Sequence, residues 1–381
     1  MTNRSHFDFI FLGAGCASLS LLLRLIRSEK FGDKKILLID KDAKKSNDRT
    51  WCFWEKENGF FDEIVFKKWN TISFLSDDYN ADMGIAPYQY KMIRGIDFYE
   101  YCFNEISKHR NIEFVQANIE EWEYQEKLLS IKLNDTKYRF DNTILFSSIY
   151  KGESKGKKAI KLLQHFKGWI IETQKSYFDT QKATMMDFRI NQDNGTSFVY
   201  VLPFDEKTAL VEYTLFTKQL LEPEEYDEQL KNYIKSFLGI EHYKVSEIEF
   251  GVIPMTNEKF SFESNGWNIG TAGGQTKASS GYTFQFIQKQ SQQIADYLIA
   301  GRSLMHIPQS PRRFNFYDNT LLEILYHNKL PGKQIFTTMF KKNKPQQVLR
   351  FLDNESSVKD ELKIISSLPT WPFLKAAIKQ L

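Results

Sequence analysis

A chain of 381 residues is long enough for two or three packed units, and 42% hydrophobic residues with 26% charged ones exclude wholesale disorder. Lys and Arg number 51 against 48 Asp and Glu, a net charge of +3, which excludes a general nucleic-acid binder and an acidic solvating protein. The outlying number is the aromatic fraction, 15% from 32 Phe, 18 Tyr and 7 Trp, which suits either a Phe-packed core or an apolar cavity with aromatic walls.

Cys16, Cys52 and Cys102 make an odd count with no CxxC pair, and the six histidines are scattered. A disulfide scaffold and a metal site are therefore not expected, and a reducing cytoplasm is the natural setting. Phe9 to Leu23 is uncharged but too short to span a bilayer, and Gly13 and Gly15 interrupt it. No other segment approaches about 18 consecutive apolar residues, so an integral membrane protein is not expected.

In chain order, Phe7 to Leu12 reads as a buried strand, Gly13 to Ser18 as a glycine turn, and Leu19 to Ile26 as an apolar helix. Lys35 to Asp40 then forms a second buried strand closed by an acid, completing a βαβ unit of the kind that builds parallel sheets. Residues 45 to 110 mix aromatic and polar segments, with a helix expected from Asp97 to His109. Short strands follow at 112–115, 128–133 and 143–146, then an exposed lysine- and glycine-rich loop at 151–158. Between Gly168 and Thr217 the runs 169–171, 183–188, 198–202 and 209–213 predict an antiparallel sheet forming one wall of a substrate cavity. Helices are expected at 220–238 and 280–300, a last strand at 268–270, and a helical region beyond 304 broken at Pro331 and Pro345.

The N-terminal pattern is a dinucleotide fingerprint with one departure. Gly13 permits the tight turn, Gly15 lets backbone approach a pyrophosphate, and the amides of Ala14, Cys16 and Ala17 stand at the positive end of a helix. Ser18 occupies the third glycine position, and Asp40, 22 residues further on, can accept from a ribose hydroxyl. The chain then leaves for aromatic-rich sequence and returns at Gly270-Thr271-Ala272-Gly273-Gly274. That split favours FAD over NAD, unless 270–274 is only a surface loop. Asp48 to Trp54 packs three aromatics and Arg49 into seven residues. The segment either caps a sheet edge or meets the cofactor, where the guanidinium would neutralise pyrophosphate.

Glu212 is an acid in the apolar run Ala209 to Phe216. By alternation Leu210, Glu212 and Thr214 share one face, and Val211, Tyr213 and Leu215 the other. Glu212 either meets solvent or enters a cavity, where desolvation would keep it a proton donor near neutrality.

These segments together resemble the bacterial lycopene β-cyclases of the soluble type, a flavoprotein family of carotenoid biosynthesis. The resemblance runs nearly end to end, through Gly13–Ser18, Asp48–Trp54, Pro87–Tyr90, Gly168–Trp169, Ala183–Arg189, Phe198–Phe204, Ala209–Phe216, Gly251–Thr256 and Gly270–Phe284. It implies FAD, active when reduced by NAD(P)H, and a reaction whose product is an isomer of its substrate. Lycopene and other acyclic carotenoids would be the substrates, and Glu212 would be the acid that protonates the terminal alkene. Gly281 in the last block joins Gly270, Thr271, Gly273 and Gly274 as a cofactor-binding residue on the same basis. Tyr213 stands where many members carry a second acid, Ala278 where a proline is common, and Thr271 where related flavin hydroxylases carry an acid.

The expected fold class is α/β: a Rossmann-type, flavin hydroxylase-like FAD-binding domain from 1–80, 81–150 and 251–300, an antiparallel-sheet substrate domain at 151–250, and a helical C-terminal region at 301–381. A redox flavoenzyme, such as an aromatic hydroxylase or a polyprenyl reductase, and a non-catalytic carotenoid-binding protein are the competing expectations. Residues 305–350 hold eight Lys or Arg against Asp318 and Glu323, interleaved with Leu321, Leu322, Ile324, Leu325, Ile335, Phe336, Met339 and Phe340. That suits either a solvated helical face or peripheral contact with the inner face of the cell membrane, where the substrate resides.

Overall fold

The computed structural model describes residues 6–125, 128–150, 159–258 and 266–380. The expected 151–158 boundary loop lies outside the described residues. Phe9–Leu12 sits at the centre of a five-stranded parallel sheet, with Ile36–Asp40 and Ile112–Gln116 on one side and Ile144–Ser147 and Gly266–Asn268 on the other. Short apolar runs belong there, because a parallel strand is covered on both faces. Phe9 and Phe11 pack with Leu19, Leu22 and Ile294 from the helices Cys16–Arg27 and Phe284–Ile299. On the opposite face, Ile10 and Leu12 meet Leu129, Ile131 and Phe140 from a three-stranded antiparallel sheet of Ile119–Gln125, Leu128–Leu133 and Thr136–Asp141. The last parallel strand ends at Asn268, and Gly270 opens a single 3-10 turn, Gly270–Gly273.

A second sheet has seven strands in the order Lys244–Thr256, Lys161–Glu172, Thr208–Thr217, Thr196–Pro203, Lys182–Asp187, Thr71–Ser76, Tyr79–Gly84. It is antiparallel except where Lys182–Asp187 meets Thr71–Ser76. Residues 71–84, grouped by sequence with the nucleotide-binding segments, are thus the last two strands of this sheet, and its first strand runs to Thr256 rather than 250. The face bearing Val199, Val211, Tyr213 and Leu215 is covered by the helix Pro223–Ser236. That helix starts at Pro223 because Glu222 and Glu225 form a reciprocal capping box around its first turn.

The opposite face, bearing Phe198, Leu210 and Phe216, is covered by the C-terminal helices Arg312–Tyr326, Gly332–Lys342 and Pro345–Leu352. Here the expectation that the apolar residues of 305–350 face a membrane is corrected. Leu321, Leu322, Ile324, Leu325, Ile335, Phe336, Met339 and Phe340 are all buried. Their helical stripe is the face that docks on the sheet, with Phe340 stacked on Phe74 at 4.7 Å and Phe336 on Phe188 at 6.0 Å. Much of the positive charge is also spent locally, through Arg313–Glu361, Lys329–Glu323, Lys333–Asp77, Lys341–Asp78 and Arg350–Asp360. Exposed apolar side chains gather instead on Val358–Ser367 and Thr370–Ile378, where Val358, Leu362, Trp371, Leu374 and Ile378 face outward. Among the described residues no helix is long and apolar enough to cross a membrane.

A small antiparallel sheet of Thr50–Glu55, Gln89–Arg94 and Lys67–Trp69 joins the two large ones. Thr50–Glu55 has two apolar faces. Trp51 and Phe53 turn toward the nucleotide side, packing on Phe98 at 5.0 Å and Phe284 at 4.4 Å, while Trp54 turns toward the seven-stranded sheet.

Phe336 is fully buried between the C-terminal helices and the sheet, so Phe336→Ala removes packing on both. It is expected to lower unfolding stability by about 3–5 kcal/mol. Chemical denaturation checks this, and a loss below about 1 kcal/mol would contradict the docking described.

Candidate active site

At the C-terminal edge of the parallel sheet the chain builds a cradle. Gly13 ends the first strand at φ +90°, and a Cβ there would lie 2.4 Å from Ser148 Oγ. Only glycine meets both conditions. Gly15 is the N-cap of Cys16–Arg27, makes no side-chain cap, and borders open space. The amides of Cys16, Ala17 and Ser18 therefore have no side-chain acceptor in the first turn, the arrangement a pyrophosphate needs. Ser18 Oγ donates to Ser148 Oγ at 3.3 Å. Asp40 stands beside the turn and accepts the Ala14 N–H at 2.6 Å, and its other oxygen accepts from Asp42 N at 2.8 Å.

The late turn comes to the same place. Gly270 has φ +62°, and a Cβ on it would lie 2.8 Å from the Ala17 Cβ, so only glycine lets this turn reach the helix start. Gly273 is packed against the Asn268 carbonyl, Gly274 closes the turn in the left-handed region, and the Thr271 hydroxyl bonds to Thr276 at 3.2 Å. Arg49 acts electrostatically on the Cys16 thiol at the helix start, and its guanidinium is paired with Asp48 at 2.7 Å. The structure thus brings together Gly13, Ala14, Gly15, Cys16, Ala17, Ser18, Asp40, Arg49, Gly270, Thr271, Gly273 and Gly274. Gly281 packs against the seven-stranded sheet, where its missing Cβ would overlap Gln164 Oε1, and its carbonyl accepts from Thr283, which is linked through Thr276 to Thr271 of the turn.

The second feature lies on that sheet. Glu212 shares a face with Leu210 and Thr214, whereas Tyr213 is buried on the opposite face beside Tyr226. In register, Gly168 of the Lys161–Glu172 strand pairs with Glu212 on one side and with Glu249 of the Lys244–Thr256 strand on the other. A Cβ at Gly168 would lie 2.9 Å from the Glu249 Cγ and 2.9 Å from Leu210. The glycine opens a gap in the middle strand through which carboxyls two strands apart interact. Thr214 Oγ1 donates to Glu212 Oε1 at 2.8 Å, and Thr50 Oγ1 donates to Glu249 Oε2 at 2.8 Å. Glu249 is only 5% exposed and its Oε1 has no hydrogen-bond partner, whereas Glu212 keeps part of its surface accessible.

Burial, and then the neighbouring Glu249 charge, push the Glu212 carboxyl well above the usual carboxylate range. Burial also raises Glu249, but the neighbouring Glu212 carboxyl and the Thr50 hydroxyl hold it back. Both shifts run in the direction of a pair that shares a proton. The walls are aromatic: Tyr200 lies opposite Glu212 in register, Trp54 packs on Tyr282 at 4.9 Å, and Tyr90 lies next to Cys52. The hydroxyls of Tyr90 and Tyr282 and Trp54 Nε1 are buried without a hydrogen-bond partner. Such clustering is what a ligand-lined space produces and a packed core avoids. Beyond Trp54 a cleft of about 290 Å³ opens, lined also by Tyr88, Gln285, Asp353 and Glu355.

A family model described as "Lycopene cyclase protein" matches residues 8–378. The chain belongs to the lycopene cyclase family. The cyclase-family chain is 25% identical over 300 residues to the chloroplastic neoxanthin synthase of Solanum lycopersicum and 24% over 299 residues to that of Solanum tuberosum. In both cases 74% of this chain and 58% of the relative are covered, so it spans less than two thirds of the curated relatives it matches. Among solved structures it is similar to a flavoprotein/dehydrogenase from Cytophaga hutchinsonii, with a TM-score of 0.65 and 12% identity over 99% of both chains. A geranylgeranyl bacteriochlorophyll reductase-like protein from Thermoplasma acidophilum gives a TM-score of 0.62 and 10% identity, covering 99% of this chain and 100% of that one. A halogenase variant solved in complex with FAD gives 0.57 and 13%, covering 91% and 78%. These likenesses give the cyclase-family chain a flavoprotein fold, in keeping with the α/β expectation.

Sequence reasoning singled out Glu212 but missed Glu249, Gly168 as a gap, and the wall residues Tyr90 and Tyr200. Glu247-Ile248-Glu249-Phe250 alternates like an edge strand with its acids in water. The structure inverts this, leaving Ile248 59% and Phe250 48% exposed while Glu249 is inside. Only the shared register with Gly168 exposes the pairing.

In this cyclase-family chain Cys16 and Cys102 are buried and Cys52 is half-buried. Burial pushes Cys16 up to about 12, and burial pushes Cys52 and Cys102 well above the ordinary thiol value, with Glu212 adding to the effect at Cys52. Timed titration with a disulfide reagent at pH 8 is expected to find no fast-reacting thiol until the protein is denatured, when all three react. A thiol that reacts within seconds in the native protein would contradict this burial.

Proposed function

We propose that the protein is a lycopene β-cyclase, and that Glu212 is its acid. The observation that carries this reading is a carboxyl beside aromatic walls that faces a second, buried carboxyl across Gly168, where burial and that neighbour push it well above the usual carboxylate range. Proton transfer from Glu212 to the terminal alkene of an acyclic carotenoid end gives a tertiary cation. The neighbouring double bond attacks it, and loss of a ring proton leaves a β-ionone ring. One proton enters, one leaves and no electrons change hands, so the product is an isomer. Cyclisation of both ends would take lycopene through γ-carotene to β-carotene. Tyr200, Trp54, Tyr90 and Tyr282 would exclude water and offer ring faces to the developing charge.

FAD fits the cradle. The amides from Ala14 to Ser18 would take its pyrophosphate, Asp40 its ribose, and the Gly270–Gly274 turn its flavin arm, with Arg49 nearby as a neutralising charge. When bound and reduced by NAD(P)H, the flavin supplies negative charge that stabilises the cation. A buried acid within a hydrocarbon-lined space supports this over hydride or oxygen transfer, which need no such donor.

The family's water-insoluble substrates call for contact with a membrane, and the outward face of Val358–Ser367 and Thr370–Ile378 suits it. Leu362, Trp371, Leu374 and Ile378 lie there among Lys359, Lys363, Lys375 and Lys379. In a cell with this enzyme in the cytoplasm, the inner face of the cell membrane is the surface it would meet.

Glu212→Gln keeps the shape and removes the proton. It is expected to lower turnover by about 10²- to 10⁴-fold with FAD content unchanged, measured by pigment chromatography and flavin absorbance. Turnover within tenfold of the parent would overturn the assignment. The double variant Trp371→Glu/Leu374→Glu is expected to bind anionic vesicles at least about fivefold more weakly in co-sedimentation. Unchanged binding would place the membrane contact elsewhere.

A further inference from the structure

The pairing of Glu249 with Glu212 carries a role for a residue that the proton transfer does not use directly. Glu249 is anchored at one oxygen by Thr50, faces Glu212 through the gap left by Gly168, and has its other oxygen buried without a hydrogen-bond partner. Two adjacent carboxylates in such a space cannot both stay ionised, so the pair carries one proton. The anchored member takes the charge. Thr50 donates to Glu249 at 2.8 Å, and the nearby Asp48 and Arg49 charges act on it in opposite senses, with Asp48 the stronger. Glu212 receives one hydroxyl donor, Thr214, and faces Cys52 and Tyr200, which are uncharged near neutrality because burial raises both. Tyr90 and Tyr282, in the surrounding wall, are likewise neutral.

We propose that Glu249 is the positioning residue for the acid: it is the anionic half of a one-proton carboxyl pair, and it both retains the proton on Glu212 and orients that carboxyl. The second acid that relatives carry next to the catalytic one is thus supplied here from another strand, across a glycine. The balance is simple. While the proton is on the hydrocarbon, two carboxylates face each other across Gly168. Their repulsion favours return of a proton to the pair when the ring C–H breaks, and no oxidant or reductant is consumed.

This rests on Glu212 being the acid, and the test separates the two claims. An acid must be protonated, so activity falls as pH rises through the Glu212 pKa. Removing the Glu249 charge lowers that pKa and moves the alkaline limb to lower pH. Glu249→Gln is expected to shift that limb down by at least about one unit. Turnover at pH 8 should fall at least about tenfold while KM stays within about twofold and thermal stability is kept. Infrared difference spectra, which see the protonated carboxyl band directly, should show it vanishing at correspondingly lower pH. If Glu249→Gln fails to fold, Thr50→Val frees the anchored oxygen, raises the Glu249 pKa, and should blur the alkaline limb into two steps. An unchanged limb in the folded variants, with Glu212→Gln inactive, overturns the role of Glu249 alone. An active Glu212→Gln overturns the acid reading beneath it.

Discussion

Taking two carboxyl groups out of water side by side is costly, and the architecture around Glu212 and Glu249 follows from that cost. An isolated buried carboxylate is disfavoured by several kcal/mol, and a pair is tolerable only when one member stays protonated and the other is anchored. Gly168 brings the two together by removing the side chain that would separate them, and Thr50 and Thr214 each satisfy one oxygen. The C-terminal helices cover the same face of the sheet with Phe336, Phe340 and Leu322, keeping that side dry. A carboxyl that its surroundings push above the usual range is what the proposed alkene protonation requires at neutral pH.

The strand Thr50–Glu55 couples this acid site to the nucleotide cradle. Its alternate residues serve different neighbours: Thr50 binds Glu249 and Trp54 meets Tyr282, while Trp51 and Phe53 pack among Phe98, Tyr99 and Phe284 on the cradle side. Gly281, pressed against Gln164, makes a second contact between the glycine-rich return of the chain and the seven-stranded sheet. A cofactor held at Gly13–Ser18 and Gly270–Gly274 is therefore set in a fixed relation to the carboxyl pair. The aromatic excess divides accordingly: most rings are ordinary core, and a minority wall the acid.

Local pattern made the parallel sheet, the glycine turn and the face of Glu212 legible, because burial on both sides and period-two alternation leave direct marks in a sequence. Where the chemistry depends on register between distant strands, the sequence is silent. Glu249 carries the pattern of a solvent-facing edge acid, because Ile248 and Phe250 alternate with it, yet those two are the exposed residues. The basic, apolar 305–350 segment misled for the opposite reason. An amphipathic helix shows the same stripe whether it docks on a membrane or on its own sheet, and here Phe74 and Phe188 are the partners. The two strands at 71–84 were hidden by mixed composition and by a parallel pairing with residues more than a hundred positions away.

The central claim is that this flavoprotein fold performs proton-initiated ring closure without net redox. The most direct measurement is anaerobic incubation of the FAD-loaded, reduced protein with lycopene in deuterated water, followed by mass analysis of the pigment. The account predicts a cyclic isomer carrying deuterium from solvent, formed in amounts that exceed the reducing equivalents supplied. A product altered by addition of oxygen or of hydrogen, in proportion to reductant consumed, would contradict it.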